Sequence, residues 1–169
     1  MEYLTYPWME YFFKEKADQY RRTHLEEGLR VIPYMACVDE FQHEVYAQKM
    51  TDAKERYKLW HSLEEKYMPW RDYDGDAFLE AGGFWMQKQH IFMCPFYYID
   101  YSLASMGALE YYIRSIDDRE TAWEDYFRLC SLGGSKGYFE LLKEGHLSNP
   151  FKAGTVEHIM KVLKEKVLQ

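Results

Sequence analysis

The stretch Thr155-Val-Glu-His-Ile-Met-Lys-Val-Leu-Lys-Glu-Lys-Val167 carries the clearest structural pattern in the chain. Its apolar side chains recur every three or four residues, with lysine and glutamate side chains between them, which is the pattern of an amphipathic helix. Thr155 is placed to cap the start of this helix. The same periodicity recurs along most of the 169 residues. The sequence therefore predicts an all-α fold, a series of helices joined by short loops.

Further helices are predicted wherever this periodicity recurs and then stops at turn residues. They cover residues 7–22, 24–47, 51–67, 95–113, 119–132 and 135–144. Pro33 lies inside the second of them and is expected to kink or interrupt it. The turn-rich segment 71–83 is expected to form a loop or short helices. Because no repeat, low-complexity run or linker divides the chain, residues 1–169 are expected to form a single helical domain.

The charge balance bears on the kind of partner that the chain can have. With 28 acidic and 21 basic residues, its formal net charge is -7. Nucleic-acid binding draws its affinity from clustered lysine and arginine, so nucleic acid is not expected as a partner. Aromatic residues make up 18% of the chain, and rings with a polar tip suit the wall of a cleft or a subunit contact.

Nothing in the sequence indicates export or a membrane anchor. Residues 1–8 lack a basic region followed by an apolar stretch, and no window of about 18 uncharged apolar residues occurs. Cys37, Cys94 and Cys130 are far apart in the sequence. They form no Cys-x-x-Cys pair of the kind found in zinc sites and disulfide frameworks. The chain is expected to be cytoplasmic, with reduced thiols and no membrane partner.

One candidate metal pattern lies in Asp39-Glu-Phe-Gln-His43. Glu40 and His43 are three residues apart, so a helix places them on one face, as in di-metal carboxylate proteins. Such a site needs a second Glu-x-x-His and two further inward glutamates, and no second motif occurs in the chain. The favoured interpretation is that these side chains form hydrogen bonds that hold helices together.

A second candidate is Gln89-His-Ile-Phe-Met-Cys-Pro-Phe-Tyr-Tyr-Ile-Asp-Tyr101. It places His90 ahead of Tyr98 and Tyr101, which are three residues apart on a helix predicted to begin near Pro95. A histidine and phenols that converge could donate hydrogen bonds to a developing oxyanion. Tyrosines at helical spacing are more often core or interface residues. The spacing alone leaves both interpretations open.

The remaining titratable side chains show no catalytic spacing. No two of the remaining histidines have the spacing of metal ligands, so surface or capping roles are expected for them. They are His24, His61, His146 and His158. The pairs Glu26-Glu27 and Glu64-Glu65 are expected on solvated helix faces. Gly133-Gly134-Ser135 lacks the preceding strand and the lysine spacing of a phosphate-binding loop, so it is interpreted as a helix cap.

Several longer motifs together resemble a known family. They are Tyr3-Leu-Thr-Tyr-Pro-Trp-Met9, Ile32-Pro-Tyr34, Val38-Asp-Glu-Phe-Gln-His43, His90-Ile-Phe92, Pro95-Phe-Tyr-Tyr-Ile-Asp-Tyr101, Leu129-Cys-Ser-Leu-Gly-Gly-Ser135 and Asn149-Pro-Phe151. In this order they resemble the oligoendopeptidase F branch of the thimet-type zinc metallopeptidases. The resemblance covers residues 2–154 and corresponds to the C-terminal part of the catalytic domain.

The resemblance implies a mostly helical fold with a deep channel, in an enzyme that cuts short peptides. Such enzymes use one zinc ion, held by His-Glu-x-x-His and a downstream glutamate, with the motif glutamate as general base. His90, Tyr98 and Tyr101 match the residues that hold the substrate and stabilise the tetrahedral intermediate. Tyr97 is the alternative in register and is implied to bind substrate. The implied substrate is an oligopeptide.

The chain departs from the family in one respect, because no His-Glu-x-x-His occurs in its 169 residues. No metal ligand is therefore assigned, zinc is expected only in the complete enzyme, and the chain alone is expected to be inactive. A fragment, a gene remnant and one piece of a split enzyme are left open. The expected partners are an N-terminal complementing half or a second copy of the chain.

A function from another class is left open beside this one. A non-catalytic helical module derived from such a peptidase would persist through self-association or through binding a partner. The DNA immediately upstream would separate the two, because a His-Glu-x-x-His encoded there would favour the peptidase and its absence would favour the module.

Overall fold

The structure, a computed structural model, describes residues 1–167. Over these residues it contains helices and no strands, so the predicted all-α fold is confirmed. The α-helices are α1 Met9–Phe13, α2 Ala17–Ala47, α3 Ala53–Tyr67, α4 Ala77–Glu80, α5 Gln89–Met93, α6 Ile99–Asp117, α7 Arg119–Leu132, α8 Tyr138–Glu144 and α9 Thr155–Val167. Short 3₁₀-helices occupy Glu2–Trp8, Lys14–Lys16 and Phe84–Gln87. None of the helices described is long and apolar enough to cross a membrane.

The chain divides into two compact units. The first unit contains residues 1–25 and the residues from 103 onward, and the second contains residues 26–102. Helices α2 and α6 each begin in one unit and end in the other. The single domain expected over residues 1–169 stays a prediction.

The N-terminal helices differ from the prediction. Instead of one helix over 7–22, the chain forms two 3₁₀-helices and the short helix α1 before α2 begins at Ala17. Lys14 interrupts the helix because its φ of 49° lies in the left-handed region, which a right-handed helix cannot accommodate. Helix α2 then continues through residue 24, where a separate helix was expected to begin.

Pro33 does not interrupt α2, since the helix is continuous from Ala17 to Ala47; the other expected effect, a kink, stays a prediction. A proline inside a helix costs about 3 kcal/mol, because one backbone hydrogen bond is lost and the ring clashes with a carbonyl. Tyr34, Met35 and Val38, which follow it, are all buried. Burial of each such side chain contributes about 1.5 to 3 kcal/mol, so packing outweighs the cost of the proline.

Three of the other predicted helices agree closely with the structure. Helix α3 begins after Asp52, whose carboxylate accepts hydrogen bonds from the backbone N–H groups of Lys54 and Glu55 at 2.6 and 3.4 Å. Helix α7 has the predicted bounds. The tail helix α9 buries Ile159 and Leu163, which confirms its predicted apolar face. Helix α8 begins at Tyr138, three residues later than predicted.

The core of the second unit joins α2 to α3 and to the short helices that follow. It contains Tyr34, Met35, Cys37, Val38, Phe41, Trp60, Leu63, Met68, Trp85 and Ile91. Phe41 meets Trp60 edge to face, with ring centroids 5.2 Å apart, a favoured aromatic geometry. Cys37 is fully buried, and burial raises the pKa of its thiol to about 12.

The first unit has its own packed contacts. Tyr6, Met9 and Ala17 form a small core with Tyr3, Tyr20 and Tyr112. Tyr111 donates a hydrogen bond to the carbonyl oxygen of Gly145 at 2.8 Å, which ties α6 to the end of α8. Arg119 donates to the carbonyl oxygen of Leu4 at 2.8 Å. These contacts fix the N-terminal segment against the later helices of the same unit.

Gly82 allows the segment after α4 to pass close to α3. Its φ is 92°, a backbone conformation that only glycine adopts without strain. A Cβ atom at this position would lie 2.1 Å from the carbonyl oxygen of Tyr57. The chain approaches α3 so closely here that no side chain fits.

We expect Gly82→Ala to destabilise the protein by about 3 kcal/mol or more, because it combines backbone strain with a backbone clash. Gly75 is the matched control, since its φ is 80° and an added Cβ would meet nothing within 4 Å. Gly75→Ala should cost about 1 to 2 kcal/mol, the strain alone. Urea denaturation of both variants measures the difference, and equal losses would show that the clash is relieved at no cost.

Candidate functional site

Helix α6 begins later than the sequence predicts, and this places the candidate tyrosines. The predicted start near Pro95 is wrong, because α6 starts at Ile99. The reason is local: Phe96 has a φ of 63°, which breaks a right-handed helix. Tyr98 therefore directly precedes α6, and Tyr101 lies in its first turn.

The structure brings His90, Tyr97, Tyr98 and Tyr101 together, and we call these four side chains the His–Tyr cluster. His90 lies on the short helix α5. The centroid of its ring is 5.1 Å from that of Tyr98, 5.9 Å from that of Tyr97 and 6.5 Å from that of Tyr101. Tyr98 and Tyr101 meet edge to face at 5.7 Å. Tyr98 and its alternative in register, Tyr97, therefore both lie beside His90.

The hydroxyl groups of the cluster can donate hydrogen bonds outward. Tyr97 donates to the hydroxyl oxygen of Tyr101 at 3.1 Å. The pair has two hydroxyl protons and uses one between them, so one remains to donate to another acceptor. Tyr97 and Tyr101 are each 43% exposed, whereas His90 and Tyr98 are half-buried. The cluster thus presents a free O–H group on a surface that solvent or a ligand can reach.

The environment favours the protonated form of Tyr97 and Tyr98. Burial, and then the neighbouring Tyr101, raise the pKa of Tyr98 above its ordinary value. The hydrogen bond to Tyr101 raises the pKa of Tyr97. A raised phenol pKa means that the neutral, donating form persists at neutral pH. The cluster can therefore donate hydrogen bonds to a carbonyl oxygen or an oxyanion, and it does not supply a phenolate.

Tyr34 supports the cluster from the core of the second unit. Its ring meets that of Tyr98 edge to face, with centroids 5.9 Å apart and an interplanar angle of 88°. The guanidinium of Arg71 lies over the rings of Tyr34 and Phe84, 5.4 Å and 4.2 Å from their centroids. Cations over aromatic rings are attracted by the negative face of the ring. Arg71 also bonds a buried carboxylate, so it joins the two rings to that group.

That carboxylate is Glu64, which the sequence placed wrongly on a solvated face. Glu64 is only 5% exposed, and it accepts hydrogen bonds from Arg71 at 3.1 Å and from Tyr73. Its neighbour Glu65 is exposed. The signal was available in the sequence, because Glu64 follows Trp60 by four residues and so shares the apolar face of α3.

The pattern at Asp39-Glu40-His43 has a structural role, as the favoured interpretation expected. Glu40 of α2 accepts hydrogen bonds from Lys66 at 2.8 Å and from Tyr67, both on α3. Asp39 lies 3.5 Å from His43 on the same helix. The Glu40 contacts hold α2 and α3 together within the second unit, which confirms the interpretation for this residue. The contact between Asp39 and His43 lies within α2 and joins no second helix.

The donor set of the described chain does not fit zinc. Structural and catalytic zinc sites use three or four His, Cys, Asp or Glu ligands. Residues 1–167 contain no group of three or more such side chains arranged to hold a metal ion. In the His–Tyr cluster, the ring neighbours of His90 are tyrosines, which are not among these ligands.

Two histidines of the first unit have partners that sequence spacing did not reveal. The Nδ1 atom of His146 lies 2.8 Å from a carboxylate oxygen of Asp125. The Nδ1 atom of His24 lies 2.8 Å from the hydroxyl oxygen of Tyr6, and its Nε2 atom lies 3.1 Å from a carboxylate oxygen of Glu2. His24 was expected at the surface or at a cap, because its partners are 18 and 22 positions away in sequence. Spacing arguments within one helix cannot detect such a contact.

Comparison with known proteins gives a consistent answer. No protein-family model and no curated protein matches the chain. An X-ray structure assigned as an oligoendopeptidase F is 45% identical over 97% of this chain and 29% of its own, with a TM-score of 0.92. PZ peptidase A with an inhibitor is 44% identical, with the same coverage and TM-score. An oligoendopeptidase F assigned in Bacillus anthracis is 38% identical over 97% of this chain and 26% of its own, with a TM-score of 0.77.

These matches define the chain first as a helical region of a peptidase. More specifically, it belongs to the oligoendopeptidase F family as a partial region, which confirms the resemblance found in the sequence. The chain spans 29% of the length of the first two structures that it matches.

We expect Glu64→Gln to destabilise the protein by about 2 kcal/mol, because a buried group that bonds Arg71 and Tyr73 loses its charge. The matched control is Glu65→Gln on the same helix, whose side chain is 71% exposed and whose replacement should change stability by less than about 0.5 kcal/mol. Thermal and urea unfolding of both variants measure this. Equal effects of the two substitutions would contradict the supporting role assigned to Glu64.

Proposed function

We propose that this chain is the substrate-contacting portion of a zinc metalloendopeptidase that hydrolyses short peptides. The observation that carries the proposal is the convergence of His90, Tyr97, Tyr98 and Tyr101, with one phenolic proton of the Tyr97–Tyr101 pair left to donate. Membership of the oligoendopeptidase F family supports it. The substrate is an oligopeptide, and the metal of the complete enzyme is held outside the residues described here.

In this proposal each member of the cluster acts on the carbonyl group of the scissile peptide bond. Tyr98 and Tyr101 donate hydrogen bonds to the oxygen on which negative charge develops as the carbonyl is attacked. Tyr97 binds substrate and, by donating to Tyr101, polarises the O–H group that Tyr101 presents. His90 positions the tyrosine rings by packing against all three, and it supplies a further N–H donor.

Burial of the support explains why the donors would be effective. A hydrogen-bond donor contributes most to a transition state when its position is fixed before the reaction. Tyr98 is half-buried against Tyr34, and Tyr34 is itself 6% exposed. The donor therefore rests on a side chain that cannot move without disturbing the core.

The tyrosines can be tested in a chimaera, in which this chain replaces the matching region of an oligoendopeptidase F enzyme. The wild-type chimaera should cleave peptides. Tyr98→Phe and Tyr101→Phe should each lower kcat by roughly a hundredfold with little change in KM, since each removes one oxyanion donor. Tyr11→Phe is the control, because Tyr11 is 81% exposed and outside the cluster.

If Tyr98→Phe and Tyr101→Phe leave kcat unchanged and only lower the melting temperature, the two phenols are structural and the site assignment is wrong. If the wild-type chimaera folds but cleaves no peptide, the peptidase function itself is wrong.

We expect the purified chain alone to retain less than stoichiometric zinc after dialysis and to leave a quenched fluorescent oligopeptide uncleaved. The reason is the donor set, since residues 1–167 offer no group of three metal-binding side chains. Atomic absorption and a fluorescence assay measure the two properties, with the active chimaera as positive control. Turnover by the chain alone that a chelator abolishes would contradict this expectation.

A second function is favoured by a different observation, an exposed aromatic surface in the first unit. The rings of Phe139 and Phe151 are 5.8 Å apart, and the two side chains are 54% and 64% exposed. Contiguous exposed apolar patches mark interaction sites. A helical module that binds a second copy through this surface is therefore the alternative. The chimaera separates the two functions, because a module that only self-associates would not restore cleavage.

A further inference from the structure

The second unit contains a cavity of about 440 Å³ that lies apart from the His–Tyr cluster. The end of α2, the start of α3, the 3₁₀-helix Phe84–Gln87 and α5 surround it. Cavities of this size accommodate small organic ligands or one to two amino-acid residues. Helix α5 separates the cavity from the cluster, because Ile91 and Phe92 line the cavity while His90 packs against the tyrosines.

The charges at this cavity differ from those of the chain as a whole. The chain carries a net charge of -7, yet the charged side chains that line the cavity are Lys49 and Arg56, and no carboxylate is among the described residues lining it. Lys49 has no ion-pair partner in the described part of the chain. Arg56 donates from Nε and Nη2 to the carbonyl oxygen of Met50 at 2.9 and 2.5 Å, so its positive charge is not neutralised. An anion is complementary to this wall.

The rest of the wall indicates what the anion is attached to. Phe41, Trp85 and Phe92 line the cavity, and the rings of Trp85 and Phe92 are stacked with centroids 5.6 Å apart. An aromatic wall favours an aromatic or aliphatic body over a bare inorganic ion. Arginine and lysine beside such a wall are the side chains that bind a carboxylate.

We infer that this cavity binds the carboxylate of a molecule with an aromatic or aliphatic body, such as the C-terminal residue of a peptide or a free aromatic acid. Lys49 and Arg56 bind the carboxylate, and Phe41, Trp85 and Phe92 contact the body. The inference goes beyond the proposed function and does not depend on it, because it concerns binding by the chain itself.

Calorimetric titration of the whole chain tests this with N-acetyl-L-phenylalanine and its amide, in which a neutral carboxamide replaces the carboxylate. The acid should bind roughly tenfold or more tightly than the amide, because its hydrogen bonds to the cations are charge-assisted. Lys49→Gln should weaken this preference, because one of the two cations is lost. Lys58→Gln is the matched control, since it makes the same charge change on an exposed residue that does not line the cavity.

Two further ligands identify the source of the carboxylate. Tighter binding of acetyl-Ala-Ala-Phe than of 3-phenylpropionate identifies a peptide C-terminus, and equal binding identifies a free aromatic acid. Binding of neither acid, equal binding of acid and amide, or an unchanged preference in Lys49→Gln with an unchanged melting temperature overturns the inference. None of these outcomes bears on cleavage by the chimaera, so the two ideas fail separately.

Discussion

The second unit depends on the packing around the buried ring of Tyr34. This ring projects from α2 and meets Trp60, Phe84 and Tyr98 at nearly right angles, with centroids 5.9 to 6.4 Å apart. Helices as short as α4 and α5, with four and five residues, are not stable by themselves, since isolated helices shorter than about 12 residues are marginal in water. The segments that follow α3 hold their conformation because they pack on a core with Tyr34 at its centre.

This dependence ties the candidate site to the core. His90 is carried by α5, whose Ile91 is part of that core, and Tyr98 lies directly on Tyr34. The orientation of the donors is thus set by side chains from α2, more than 50 positions away in sequence. Stability and site geometry share the same contacts, so a substitution at Tyr98 is expected to affect both. For this reason kcat, KM and the melting temperature have to be read together.

The features that the sequence revealed are the local ones. The bounds of α7 and the buried face of α9 follow from periodicity, which needs only neighbouring residues, and the family motifs located the tyrosines of the cluster. The break at Lys14 and the start of α6 at Ile99 each depend on one residue with positive φ, Lys14 and Phe96 respectively. Lysine and phenylalanine rarely adopt positive φ, so the residue types do not predict these breaks. Glu64 and Glu65 are adjacent in sequence, and only Glu64 lies four residues after Trp60 on the buried face of α3. The partners of His24 and the cavity at Lys49 arise from contacts distant in sequence, which spacing cannot report.

The burial of Cys37 makes the reactivity of its thiol a probe of how often the second unit opens. Its thiol is fully buried in the core, whereas Cys94 in the same unit and Cys130 in the first are exposed. The thiolate is the nucleophile that attacks alkylating reagents, so the two exposed residues will be modified in the folded protein. Cys37 will react only in molecules whose core has opened. With the other two cysteines replaced, the rate at which a reagent modifies this residue becomes a direct measure of how often the core around Tyr34 comes apart.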